Sequence, residues 1–463
     1  MELNTLLMRP YSPAIQSSPD DSLDLYSLVP YPEDYHSRAE SRRCFNTTEL
    51  NCQLTWTDIG AQEQVTERTL SSLAELRGYR SLHCPQQNGL RILSIHQPNS
   101  WRPLKVTRDM FQEVVETVGA SSELLELPLS FFHKTMAVEE GFTSAPVFRH
   151  NHDSIEIAYI TKYAFEKPLE EKGKDNWVLR QTGVYQKYDF ATKNSTWVFL
   201  HPTPECQFQN RLMRFLQSPG QRASLQRNPL LIHNILLGTF FPAWRDYLKH
   251  LESRMLPIAN TTVAAEIDKP LRVNHESLTA VRGTENRCLV LQPIFRSLDK
   301  TFEVLHQANA ALADRGATQQ AELKAMKQML DNYSSTVNSY GQAAWSLQSR
   351  TSRIATHITD TLSFKDAFIA KRQSEYMLRD STTVRVITVV TLIYLPSTFM
   401  ATLLGMNSFF EMDPDSRHLV VSPQFWIYLV CSVPLTAATL CYWWYFQKAK
   451  QRSERANNDA LMV

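Results

Sequence analysis

The sequence is poor in glycine, with 13 among 463 residues, about 3% where ~7% is usual. No two glycines stand two apart, so the Gly-x-Gly-x-x-Gly turn of dinucleotide-binding folds is missing. The Walker A pattern, Gly-x-Ser-x-Gly and His-Glu-x-x-His are absent as well. Most nucleotide, serine-hydrolase and metalloprotease chemistry thereby loses its sequence handle, and neither an enzyme nor a bound cofactor is expected. No Cys-x-x-Cys occurs, and the seven cysteines (Cys44, Cys52, Cys84, Cys206, Cys288, Cys431 and Cys441) are odd in number and widely scattered. That argues against a disulfide framework or a zinc ribbon and for reduced, mostly buried thiols. Charge of one sign is lacking too: 48 Lys+Arg against 47 Asp+Glu leaves a formal +1, no footprint of a nucleic-acid binder. The opening residues, MELNTLLMRPYSP, have no basic region followed by a long apolar core, so they do not read as a secretory signal.

Long apolar runs are present, and both lie near the C-terminus. Val386 to Leu404 is 19 residues without a charge, and Phe425 to Phe446 is 22. At the helical rise these reach roughly 28 and 33 Å, enough to cross a hydrocarbon core of ~30 Å. Two buried helices of a soluble protein would need a core large enough to enclose both. The cluster Tyr442, Trp443, Trp444 and Tyr445 suits a membrane interface. Positive charge sets the orientation. Lys371, Arg372, Arg379 and Arg385 precede the first run, Lys448, Lys450, Arg452 and Arg455 follow the second, and the loop between holds only Arg417. Both termini are therefore expected on the cytoplasmic or an equivalent inner side, with the tail's cations against lipid headgroups.

Proline divides the rest of the chain. Nineteen of 23 prolines lie at or before Pro293 and the next is Pro396. Within that gap Leu323, Met326, Leu330, Tyr333, Val337, Tyr340, Ala344, Leu347, Ile354 and Ile358 recur at three- and four-residue spacing, with Thr351 as a polar break. The seam predicts a long stalk helix running into the first span, although Gly316 and Gly341 leave room for separate helices. Upstream, GLRILSIHQP, SIEIAYITKYAF, WVLRQTGVYQKYDF and TWVFLHP read as strands. MFQEVVETV and QNRLMRFLQ read as helices, and NPLLIHNILLGTFFPAW as a buried helix too short to span. His150 and His152, in His-Asn-His-Asp, would suit a metal if on one strand face, and a loop at a strand start is the competing reading.

The first apolar run ends in Gly405-Met406-Asn407. Placed at the outer mouth of the first of two C-terminal spans, this tripeptide resembles the signature of the CorA family of divalent-cation channels. Thr388, Pro396, Thr398, Phe399 and Ala401 fit the family pattern without a gap, and the basic QKAK after the second span is similar. The likeness is strongest over roughly 380–452 and looser through the stalk and the helix beginning NPLLIHNILL. Upstream of about residue 225 no specific match is seen. Leu404 stands where an aromatic is usual and Ser408 where Phe is frequent.

The resemblance implies a homopentamer whose first spans line a pore while the second spans face lipid. A ring of Asn407 amides with carbonyls near Gly405 would grip the water shell of Mg²⁺, an ion that dehydrates reluctantly. Met406 would pack rather than touch the ion. Down the helix Val384, Ile387, Thr391, Leu395, Thr398 and Thr402 share one face, offering hydroxyl rings to a hydrated ion and apolar rings to gate by dewetting. Threonines bonded back to their own helix are the alternative. Glu411, Asp413 and Asp415 would concentrate cations at the entrance, unless they are only solvated hairpin charges.

The chain is thus read as an α/β soluble N-terminal domain with a long stalk helix and two C-terminal transmembrane helices. The segments are a mobile tail, 1–50; a cytoplasmic α/β domain, 51–225; its helical part, 226–317; and the stalk, 318–385. The first span, 386–404, the outer loop, 405–424, the second span, 425–446, and a basic tail, 447–463, complete it. The expected function is passage of divalent cations, magnesium foremost. A zinc- or cobalt-handling member and a non-conducting scaffold or sensor remain as alternatives. The partners expected are further copies of the chain and lipid, not nucleic acid.

Overall fold

The four strand-like segments of the sequence become neighbours at the centre of one seven-stranded sheet. The structure is a computed structural model and describes residues 32–59, 64–82, 89–168, 175–405, 410–412, 419–421, 423 and 425–461. It falls into two compact units, residues 1–265 with 271–359, and residues 266–270 with 360–463.

The first unit opens with α1 (Pro32–Ser41) and a short β1 (Phe45–Asn46). Next come β2 (Leu54–Ile59), β3 (Val65–Leu70), α2 (Leu73–Leu82), β4 (Leu90–His96), β5 (Leu104–Thr107) and α3 (Arg108–Val118). After α4 (Glu123–Glu126), the strands β6 (Val147–His150), β7 (Ser154–Glu166), β8 (Trp177–Asp189) and β9 (Ser195–His201) complete the sheet, in the order β3-β2-β4-β9-β8-β7-β6. Its neighbours pair antiparallel except β4 with β9. Eleven consecutive residues of β7 are buried, as expected of a strand covered on both faces.

One face packs under α1, α2, α3 and α4, where Leu93, Ile95 and Val198 meet Tyr35, Leu76, Met110 and Phe111. The expected mobile tail is therefore corrected over residues 32–50. Tyr35 and Ala39 of α1 and Cys44 just beyond it are buried, although the ten-residue helix is otherwise too polar to advertise a core face.

The other face packs under the helical part of the unit: α5 (Gln207–Gln217), α6 (Pro219–Arg227), α7 (Leu231–Phe240), α8 (Ala243–Val263), α9 (His275–Leu289) and α10 (Leu291–Asp314). The short apolar segment at 231–240 is indeed a buried helix. A polar joint fixes it to the sheet: Tyr159 donates to His233 Nδ1 at 2.7 Å, and His233 Nε2 donates to Gln186 Oε1 at 2.8 Å. Both bonds fit one neutral tautomer, and burial pushes the imidazole down to about 3.

Gly316, at φ +60°, ends α10, with its N–H on Ala313 O and that of Ala317 on Leu312 O, each at 3.0 Å. The chain then enters α11 (Gln320–Gly405), 86 residues without a break at Gly341. Leu323, Met326, Leu330, Val337, Ala344 and Leu347 are buried against Trp244, Phe295 and Phe302. Thr351 is buried too, its hydroxyl returned to Leu347 O at 2.7 Å. The long helix expected from the seam is present, and the seam is covered within one chain. Three-and-four spacing marks any helix with one covered face.

In the second unit, Lys365 Nζ donates to the carbonyls of Ile267 and Lys269 at 2.6 and 2.8 Å. Residues 410–412 and 419–421 form the antiparallel hairpin β10 (Phe410–Met412) and β11 (Leu419–Val421). The helix α12 (Phe425–Leu461) ends the described chain.

Candidate cation path

Two stretches, Thr383–Thr402 of α11 and Phe425–Ala449 of α12, are long and apolar enough to cross a membrane. Almost none of either is buried within the chain, which removes the reading of both as core helices of a soluble fold. A helix satisfies its backbone groups within itself, apart from the turn before each of Pro396 and Pro434, so exposed apolar side chains on it suit hydrocarbon.

The helices touch along one side of α11. Thr388 and Leu392 face Ala438, Thr439, Tyr442, Trp443 and Phe446 across an apolar crevice. Further along, the Tyr428 hydroxyl donates to Ser397 O at 3.2 Å. Pro396 is buried here, while Val389, Leu392, Ser397 and Met400 are partly covered. With 3.6 residues per turn, these five fall on one broad face of α11.

The six residues expected along the pore occupy the opposite side. Val384, Ile387, Thr391, Leu395, Thr398 and Thr402 fit within an arc of about 80° at 3.6 residues per turn. The arc is open: Val384, Ile387 and Leu395 are 57%, 60% and 63% exposed. Each threonine of the stripe donates its hydroxyl to the carbonyl four residues back, Thr391 to Ile387 at 2.8 Å, Thr398 to Tyr394 at 2.7 Å and Thr402 to Thr398 at 2.8 Å. The back-bonded alternative is therefore what the helix adopts. It does not remove the oxygens as acceptors, since a hydroxyl that donates once keeps two lone pairs.

Gly405 is the last residue of α11. Met406 and Asn407 lie outside the described residues, as do Asp413 and Asp415. Glu411 stands in β10 opposite Val420 of β11. Among the described residues no group of three or more His, Cys, Asp or Glu could hold a metal. The histidine pair is otherwise engaged: His150 ends β6 beside the rings of Phe148 and Phe190, and exposed His152 hydrogen-bonds Asp153 at 2.8 Å. Cys44, Cys52, Cys206 and Cys288 are buried free thiols, while Cys431 and Cys441 are exposed on α12.

The sequence reading missed the residues that seat α12 on α11. Tyr428 carried no signal apart from its aromatic character, because any residue of an uncharged run looks alike to periodicity. It also passed over Lys162, a lone cation in the middle of a thirteen-residue strand, whose isolation was visible.

Comparison with known proteins places the family signal elsewhere than the tripeptide did. Residues 19–263 match the model of the CorA-like transporters, just over half of the chain. The N-terminal part, where inspection found no specific likeness, carries the match, because its pattern is spread over many strands and helices rather than one short motif. A search of curated proteins matches none. Among solved structures, the full-length CmaX protein aligns over 88% of this chain and 100% of its own, at 11% identity and a TM-score of 0.38. The ZntB cytoplasmic domain from Vibrio parahaemolyticus RIMD 2210633 aligns over 65% of this chain and 98% of its own, at 10% identity and a TM-score of 0.36. The family match over the α/β unit, with two helices of membrane-crossing length after it, makes this chain a member of the CorA-like transporters.

Proposed function

We propose that the chain assembles as a homopentamer and passes divalent cations, magnesium foremost, along the exposed stripe of α11. The observation that carries this reading is the division of α11 into two faces. One is taken by α12, and the other presents Val384, Ile387, Thr391, Leu395, Thr398 and Thr402. Copies arranged about an axis would bring those stripes together and leave the second helices outside, toward lipid.

In this arrangement the hydroxyl oxygens of Thr391, Thr398 and Thr402 accept hydrogen bonds from the ion's water shell, while Ile387 and Val384 form apolar constrictions. Gly405, Met406 and Asn407 form the entrance. Neutral amide oxygens there hold a hydrated ion without stripping it, which suits a cation that gives up water slowly. Glu411, Asp413 and Asp415 raise the local cation concentration. Lys and Arg on both flanks of the hairpin, against Arg417 alone within it, support an inner location for both termini. The test is magnesium entry into liposomes holding the purified protein, with zinc and cobalt in parallel. Entry of zinc or cobalt alone would reassign the ion, and no entry of any would favour a non-conducting scaffold.

A further inference from the structure

Three cations converge on one small cleft in the first unit. The cleft, about 70 Å³, is lined by Lys134, Lys162 and Arg180 together with Gln97, Trp101 and Gln181. Among the described residues no carboxylate lies within ion-pair distance of any of the three. Glu139 is committed to Arg42 at 2.6 Å, and Glu140 is the one carboxylate that lines the cleft.

Lys162 is the most telling of them. Its side chain leaves β7, one strand in from the β6 edge of the sheet, and the residue is 7% exposed. Its ammonium donates to the carbonyls of Glu139 and Glu140 at 2.6 and 2.8 Å. Glu139 sits at φ +57°, a left-handed turn that lets two successive carbonyls reach the same nitrogen. An ammonium has three donors, so one remains uncommitted, and a buried cation with no directly bonded countercharge is costly. Burial, followed by the repulsion of Lys134, holds the Lys162 ammonium down to about 8, against a smaller opposing attraction from Glu139 and Glu140. Burial also lowers Lys134 and Arg180. Arg180 lies 3.8 Å over the Phe165 ring and Lys134 4.8 Å from that of Phe132, contacts that position cations without neutralising them.

We propose that this cleft binds the phosphate group of a small soluble molecule, with Lys134, Lys162 and Arg180 as its charged donors. A tetrahedral oxyanion supplies a directly bonded countercharge, which Glu139 and Glu140 provide only at longer range, and accepts a hydrogen bond from the uncommitted Lys162 donor; charge-assisted bonds of this kind are the strong ones. Gln97 and Gln181 line the same walls. Trp101, 45% exposed, offers a flat face at the rim on which the base of a nucleotide can stack. Binding at this cleft does not depend on conduction.

The test is calorimetric titration of the full-length protein in detergent, with a chelator present, using inorganic phosphate and separately adenosine triphosphate. The expected result is saturable binding of at least one ligand, weakened about tenfold or more in both Lys134→Gln and Arg180→Gln. Near-ultraviolet circular dichroism checks that each variant is folded, and Lys134→Gln, at a half-buried position, decides if the arginine variant is not. Trp101→Ala separates the carriers: loss of an extra affinity for the triphosphate assigns a nucleotide, and an unchanged value assigns free phosphate. Failure of both ligands to saturate, or wild-type affinity in folded Lys134→Gln, would overturn the proposal.

Discussion

The hydroxyl of Tyr428 and the carbonyl of Ser397 meet at 3.2 Å, one residue beyond the buried Pro396 of α11. This bond, with the crevice between Leu392 and Trp443, settles which side of α11 faces its own second helix and which is left free. Tyr428→Phe should cost about 0.5–1.5 kcal/mol, the net worth of a single neutral hydrogen bond. Thermal unfolding in detergent should record a small downward shift with the oligomer unchanged. A large loss of assembly would mean that Tyr428 contacts a second copy.

Leu330 is fully buried under the helices of its own chain. Leu330→Ala should destabilise the first unit by about 2–5 kcal/mol, the usual range for emptying a packed leucine site. Because the seam is covered within one chain, the subunit count of the folded variant should stay the same by native mass spectrometry. Dissociation without a lowered melting temperature would place the seam at an interface between chains.

Acid should weaken the first unit. Burial holds His96 down to about 4, with Lys105 adding to the effect, and His201 and His233 down to about 3. In the unfolded chain these imidazoles bind protons below 6.5, whereas in the fold they stay neutral until the lower values are reached. The unfolded state thus gains protons first, and stability falls as pH drops from 6.5 toward 4. Each group contributes on the order of 3 kcal/mol across that interval. Melting curves taken at about pH 7 and about pH 5 should separate clearly in wild type and less in His96→Asn. Parallel curves in the two proteins would contradict the assignment.

Much of this architecture could be read directly from residues. The central strands announce themselves by β-branched and aromatic runs, and the two long apolar helices by length alone. The stalk seam was legible as a pattern but not in its partner, since three-and-four spacing is the same whether the cover comes from Trp244 and Phe302 of one chain or from another copy. Residues 32–50 were misread because α1 buries only Tyr35 and Ala39, too few to show a face. The stripe from Val384 to Thr402 was visible as periodicity, whereas its separation from the α12 side depends on Tyr428 and Pro396, which only the packed helices reveal. The cleft around Lys162 joins β7 and β8 to the segment at 134–140 and the loop at 97–101, a convergence no local pattern encodes.

Thr391 tests the stripe without disturbing its packing. Thr391→Val keeps the shape of the side chain and removes an oxygen whose hydroxyl already bonds within its own helix. Helix stability should change by less than about 1 kcal/mol, and the rate of divalent entry into liposomes should fall because one ring of acceptors is gone. An unchanged rate would place the ion's path elsewhere on α11.

The most direct measurement compares magnesium entry into liposomes containing wild type and Asn407→Leu, each checked for assembly. Charge-assisted bonds are worth roughly 1.5–3 kcal/mol apiece, so replacing every amide at the entrance by an apolar group of similar bulk should abolish selective entry while the protein stays folded and assembled. Asn407→Asp should hold the cation more tightly and pass it more slowly, since conduction needs sites weak enough to leave. The account predicts magnesium flux in wild type and none in Asn407→Leu, and wild-type flux through an assembled Asn407→Leu channel would contradict it.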